Sequence, residues 1–344
     1  MGRFLFQLFG TIIFICVLVF VVMYLASFLW GARKIPFINR APSVKESTVQ
    51  PVSSSQDKVK IGEDYYYGNN GVKQDFSKAY DCFFEAAEQN NATAQLWLGN
   101  LYYFGEGVNI DYQQAFKWYQ KSAEQNNAQG QYNVGIMYCN GYGVEKNYKE
   151  AYNWLIKAAE QNYANAQDKL GDIYCFGYGR DINYSEAFKW YKKATEQKNV
   201  DAEFKLGRLY LDGLGININY NDAYLWLKKA AEQNDARAQC DLGYMYFQGY
   251  GVAQNYNEAY KWYIKSAEQN NATAQKNLGG LYEKGYGVDM DIEQALKWYE
   301  LSASNGLDDA KLAIMRLKES MDINNSNIER DVYDADMPIP LAYP

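Results

Sequence analysis

The chain has 344 residues, of which 48% are hydrophobic and 17% aromatic, and a net charge of −7. It contains no histidine, which removes the commonest general base, the Ser–His and Cys–His nucleophile pairs and every His-containing metal site. The acidic balance argues against nucleic acid as the main partner, because a phosphate-binding surface needs clustered Lys and Arg.

Residues 1–3 read as a short tail. From Phe4 to Trp30 no residue carries a formal charge, and most are Phe, Leu, Ile or Val. About 20 apolar residues cross a bilayer, so 4–30 is expected to be a transmembrane signal anchor. A cleaved secretory signal would have a shorter apolar region ending in a small-x-small site, and "YLASFLWGA" offers no clean one. Arg33, Lys34, Arg40 and Lys45 outweigh Arg3 and the amino group, which favours a single-pass membrane protein whose following domain is cytoplasmic rather than periplasmic or lumenal. Residues 31–56, with Pro36, Pro42, Pro51 and a run of serines, read as a linker.

From residue 57 to 322 the chain repeats every 36 residues and holds no proline, as continuous helical packing requires. Ala79, Ala115, Ala151, Ala187, Ala223, Ala259 and Ala295 share one column, and Trp118, Trp154, Trp190, Trp226, Trp262 and Trp298 follow three residues later. Gly99, Gly135, Gly171, Gly207, Gly243 and Gly279 form another column, and Tyr102 with its equivalents a third. Each of the seven units is predicted to be two helices separated by a G-x-G turn. The second helix opens on Asp or Asn (Asp75, Asp111, Asn147, Asn183, Asn219, Asn255, Asp291), mostly with Glu or Gln three residues on, the pattern of a capping box. It ends at an Asn column (Asn90, Asn126, Asn162, Asn234, Asn270) that also takes Gly306 and Lys198, marking a left-handed residue. Exposed in a helix, the glycine column would cost about 1 kcal/mol per unit, so it is expected at close helix contacts, forming sockets for the Trp column. A single unit cannot bury both helices but a stack can, so the array is a solenoid.

The composite pattern "AQxxLGxxYxxGxGVxxNYxEAxxWYxKAAEQN" resembles the Sel1-like repeat family of tetratricopeptide-like α-solenoids. The tetratricopeptide period of about 34 residues is absent. The resemblance implies an all-α fold, a right-handed α/α superhelical solenoid of seven helix-turn-helix repeats, which with a C-terminal capping helix fills 57–322; the apolar run 4–30 adds the expected transmembrane helix before it. That cap is read in "DAKLAIMRLKES" (309–320), where Met315 replaces the column glycine and Lys318 the tyrosine. Residues 323–344, acidic and then "MPIPLAYP", are expected to be a disordered tail, or else a short docking motif.

No catalytic constellation emerges. The G-x-G turns follow helices rather than strands, so they are turns and not dinucleotide loops. "DMDIEQALKWYE" (289–300) has Gln294 where a calcium loop needs Gly. Cys16, Cys82, Cys139, Cys175 and Cys240 form no C-x-x-C pair. Some cysteine-rich members of the resembled family are described as hydrolases acting on β-lactams, but their cysteines are paired within each repeat, and these are not. The expectation is no enzyme, cofactor, metal or small-molecule substrate, with an envelope hydrolase of that type as the alternative.

A solenoid binds through positions that its fold leaves free. In the first helix these are the columns of residues 96, 97, 100, 103 and 104, which share one helical stripe. The candidate partner-binding residues are Trp97, Asn100, Tyr103, Phe104, Tyr132, Asn133 and Ile136 in an aromatic early half, then Lys169, Asp172, Lys205, Arg208 and Tyr244. Trp97 leads, since Trp is favoured at binding hot spots. The expected function is a membrane-anchored scaffold or adaptor that binds a protein or peptide partner on the concave face. The resemblance also admits an immunity-type, toxin-neutralising binder.

Overall fold

The computed structural model describes residues 54–335, which form fifteen α-helices and no strand among the described residues. They alternate as first and second helices of seven units: α1 (Ser55–Tyr67) with α2 (Phe76–Glu88), α3 (Ala92–Phe104) with α4 (Tyr112–Glu124), α5 (Ala128–Asn140) with α6 (Tyr148–Glu160), and α7 (Ala164–Phe176) with α8 (Tyr184–Thr195). The series continues with α9 (Val200–Asp212) and α10 (Tyr220–Glu232), α11 (Ala236–Gln248) and α12 (Tyr256–Glu268), α13 (Ala272–Lys284) and α14 (Ile292–Ser304), and ends on α15 (Asp308–Ala335). Each helix packs chiefly on its neighbours in sequence, as a solenoid requires.

The joints between units explain the motif "AEQNNATAQ" letter by letter. After α2, Asn90 takes a left-handed conformation (φ 60°), and Asn91 then caps α3 by accepting from the Ala94 N–H at 3.0 Å. Gln95 is buried and its amide donates to the Ala87 carbonyl and to Asn90 Oδ1. Its own Oε1 accepts from Gln125, thirty residues on, at 2.7 Å. The same relay recurs from Gln161 to Gln131, Gln197 to Gln167 and Gln269 to Gln239. The left-handed column holds as expected at every joint, including Lys198 (φ 59°) and Gly306 (φ 92°).

Two expectations change in detail. Asp111 and its equivalents do cap the second helices, but the reciprocal bond of a capping box forms only at Ser54 and Asp57. In the second helices the cap residue's N–H is already engaged by the Tyr-column carbonyl, as from Asp111 to Tyr102 at 2.9 Å, so the glutamate has nothing left to close. The glycine column is a close-contact column, but its partner lies one residue past the Trp. A Cβ on Gly171 would sit 2.3 Å from the Tyr191 ring, and one on Gly207 2.7 Å from Leu227. The Trp column packs between units instead: Trp154 lies beside Tyr119 of the preceding unit, with Lys157 over its outer face at 4.2 Å.

The ends also differ. Helix α1 begins at Ser55, inside the expected linker, and α15 continues to Ala335, since nothing in 309–335 breaks a helix. The reading as a single-pass membrane protein is corrected: among the described residues no helix is long and apolar enough to cross a membrane. The apolar run 4–30 on which that reading stood, the linker up to residue 53 and residues 336–344 lie outside the described residues.

One internal joint departs from the relay. Lys198 and Glu203 stand where five other joints have Asn and Gln (the last has Gly306 and Lys311), and Glu203 accepts from Gln233 at 2.6 Å but, when ionised, cannot donate onward. Burial raises its carboxyl above the ordinary 4.5, with Gln233, Lys229 and Lys198 opposing. A raised folded-state value means that stability falls as pH rises from about 4.5 through the shifted value. Restoring the amides with Lys198→Asn and Glu203→Gln, which also puts a residue tolerant of positive φ at 198, is expected to add about 1–2 kcal/mol at pH 7. Thermal melts from pH 4 to 8 check this: the gain should shrink toward the acid end.

Candidate partner-binding face

The stripe chosen from the sequence runs along α3, α5, α7, α9, α11 and α13, and the structure divides its members sharply. Trp97 is half-buried, stacked on Phe83 at 5.2 Å and tilted on Tyr66, with Nε1 donating to Glu63 at 3.1 Å. Asn100 accepts from the Tyr119 hydroxyl at 2.8 Å, and Tyr103 packs among Phe104, Tyr112 and Tyr142. Phe104 is 60% exposed. The early aromatic half is thus largely engaged within the array, with Phe104 reaching solvent.

A rule unseen in the sequence accounts for this. In three first helices the position of Trp97 reaches back to the position of Asn100 in the preceding one. Lys205 bonds Asp172 at 2.7 Å and Arg208 meets Asp241 at 3.3 Å in the same relation that joins Trp97 to Glu63. A column with variable residues looks free when it is a staple whose two halves change together.

At the centre of the face Lys205 is shared by Asp168 (2.7 Å) and Asp172, while Lys169 pairs with Asp172 at 2.8 Å and the buried Tyr191 hydroxyl donates to Asp172 at 2.9 Å. Burial pushes Asp168 up to about 6 against the pull of Lys205. Asp172 suffers the same burial, but Lys205 and Lys169 bring it below the ordinary carboxylate value. Asp241 is also pushed up to about 6 by burial, with Arg208 opposing. These charges are satisfied internally, so they shape the face more than they offer free valences.

Four cavities open along the stripe. They measure about 350 Å³ beside Ile136, Cys139 and Phe176, about 370 Å³ beside Asp168, Lys205 and Arg237, and about 450 Å³ beside Arg208, Asp241 and Tyr244. The largest, about 750 Å³, lies over Gly280 between α11, α13 and α15. Of the sequence-predicted residues, Tyr132, Ile136, Lys169, Asp172, Lys205, Arg208 and Tyr244 line the three smaller cavities, and Tyr244 also the largest. Trp97, Asn100, Tyr103, Phe104 and the half-buried Asn133 line none of the four. The centre of gravity therefore moves from the early to the later units.

Sequence reasoning missed an aromatic border to this face. Tyr142, Tyr178, Tyr250 and Tyr286, inside the G-x-G turns, stack on Tyr112, Tyr148, Tyr220 and Tyr256 of the preceding unit at 5.0, 5.2, 4.5 and 4.8 Å. The signal was present as G-Y-G recurring thirty residues after N-Y or D-Y. The described cysteines are free, and burial pushes Cys139 up to about 11 and Cys240 up to about 12, the thiol rather than the thiolate at neutral pH. Among the described residues no cluster of three or more Cys, Asp or Glu is placed to hold a metal ion.

Seven stacked helix pairs with a lined, cavity-bearing face define an α-solenoid repeat protein. The Sel1 repeat model matches residues 59–91, 92–127, 128–163, 164–199, 200–235, 236–271 and 272–307, and the chain belongs to the Sel1 repeat family. Among solved structures it is similar to a protective antigen of uropathogenic Escherichia coli displaying an SLR fold, with 38% identity and a TM-score of 0.69. That match covers 77% of this chain and 56% of the antigen, so the chain spans little more than half of that relative. A Sel1 repeat protein from Oxalobacter formigenes is 34% identical with a TM-score of 0.65, over 72% of this chain and 96% of that one. No curated protein matches.

Because Trp97 is stacked and hydrogen-bonded, Trp97→Ala is expected to cost about 3 kcal/mol of stability. The change Phe104→Ala, two turns further along the same helix, should stay within about 0.5 kcal/mol. Denaturant melts of both variants check the division, and equal losses would remove it.

Proposed function

We propose that the chain is a scaffold that holds a protein or peptide partner along its first helices, chiefly through the middle and C-terminal units. The carrying observation is the alignment of the four cavities on one stripe, flanked by exposed Phe176, Tyr178, Tyr244 and Tyr286. Aromatic groups beside preformed recesses are what interface hot spots are made of, and their placement on packed helices keeps the ordering cost of binding low. Sel1 repeat proteins are typically non-catalytic scaffolds, which agrees with thiols that burial keeps protonated.

Site-directed photo-crosslinking tests the reading. A crosslinking residue at 176 or 244 is expected to trap a discrete protein adduct in cells that make the full chain. The same residue at Glu160 or Glu232, exposed on second helices, should trap none. Equal trapping at all four positions would mean that no face is specialised. Phe176→Asp is expected to reduce adduct formation at 244 at least thirtyfold if the two belong to one hot spot of about 2 kcal/mol.

A further inference from the structure

The column of Asn100 continues as Ile136, Asp172, Arg208 and Tyr244, then becomes Gly280 before Arg316. Two adjacent glycines here have opposite surroundings. A Cβ on Gly279 would lie 2.8 Å from the Tyr299 ring, the ordinary reason for glycine in this fold. A Cβ on Gly280 would meet only the Tyr299 hydroxyl, at 3.6 Å, so no internal contact calls for its absence. Glycine in a helix interior costs about 1 kcal/mol relative to alanine, and what it yields at 280 is empty volume: the floor of the 750 Å³ cavity.

Tyr244, Phe247, Tyr263, Tyr286 and Tyr299 wall this cavity, and Lys276, Lys284 and Arg316 edge it. The acids nearby are Asp309, 70% exposed and 3.3 Å from Lys276, and Glu283, buried and bonded to Lys284, Arg316 and the Tyr299 hydroxyl. Three cations against two carboxylates leave a local excess of +1 in a chain of −7. The Asp309 pair is an exposed one, of small worth and open to exchange with another carboxylate. Leu312 (68% exposed) adds apolar surface at the mouth. A recess of this size with aromatic walls accepts one large apolar side chain with its flanking backbone.

We propose that the Gly280 cavity receives a bulky apolar residue of an extended peptide segment of the partner, with acidic residues beside it that pair with Lys276, Lys284 and Arg316. This rests on the scaffold reading and names the chemistry of what the scaffold holds. Apolar burial supplies the affinity, and the cationic edge selects acidic over basic flanks.

The test pans the full-length chain against a displayed library of random 12-residue peptides and measures a resynthesised winner by fluorescence anisotropy. Winners are expected to carry Trp, Phe or Leu within two positions of at least two Asp or Glu. Gly280→Leu, which points into open space, should weaken the winner at least tenfold with an unchanged melting temperature. Lys276→Glu with Lys284→Glu, both at the rim, should shift selection toward Lys- and Arg-flanked peptides, which keeps the test decisive should the Gly280 variant fold poorly. Winners without an acidic preference, or unaffected by Gly280→Leu, overturn the inference. So does concentration-dependent self-association abolished by Gly280→Leu, which would make the occupant a second copy. If selection finds no peptide while the crosslinks at 176 and 244 persist, this inference fails and the scaffold reading stands. If those crosslinks vanish too, both fail.

Discussion

The buried amide near the start of five first helices, Gln95, Gln131, Gln167, Gln239 and Gln275, is the contact on which the array depends. It ties three segments together: the carbonyl near the end of one unit's second helix, the left-handed residue of the turn, and the glutamine that closes the following unit. A buried amide left without these partners would cost a large part of one joint's stability, so the bonds are strict about geometry. That strictness fixes the angle at which successive units leave one another. The columns of alanine and glycine can pack closely because the joint has already brought the helices to within reach. The face along the first helices inherits its line from the same constraint.

Much of this was legible because repetition makes a column speak seven times. The unit boundaries, the capping Asp and Asn, the left-handed Asn and the close glycine contacts each rest on interactions local in sequence. What escaped involved contacts between helices, within one unit or across a whole period. Tyr119 rather than Trp118 meets Gly99, a difference of one position that only the relative rotation of two helices decides. Trp97 looked unconstrained because its column holds Trp, Asn, Lys, Lys, Asp and Asn, yet each of Trp97, Lys205 and Asp241 answers a partner in the preceding first helix. Variation in a column therefore reports either freedom or paired exchange, and a single sequence does not separate the two.

The candidate face was legible in outline and displaced in emphasis. The stripe was found by helical periodicity, and seven of its proposed members do line cavities. Its most conspicuous aromatic, however, serves the stacking of Phe83, Tyr66 and Trp97 near the array's beginning. The largest recess arises from a missing side chain at Gly280 bounded by three helices far apart in sequence. An absence has no signature in a hydrophobic pattern. It becomes visible only when the neighbouring walls are in place.

The joint between α8 and α9 stands apart from the rest. It lacks the onward amide bonds, since Glu203 replaces glutamine, and it is crossed instead by Lys205 holding Asp168 and Asp172. Of the seven joints, five are thus fastened by a buried glutamine, the last has Gly306 and Lys311 in those places, and the α8–α9 joint puts a carboxylate where the amide stands elsewhere. Links in series share a load equally but yield unequally, and the compliance of the whole is set by its softest member. Ionic fastening varies with acidity and ionic strength in a way that amide fastening does not. The α8–α9 joint divides the array into four units and three, and the ionic part of its fastening follows the acidity and salt of the medium.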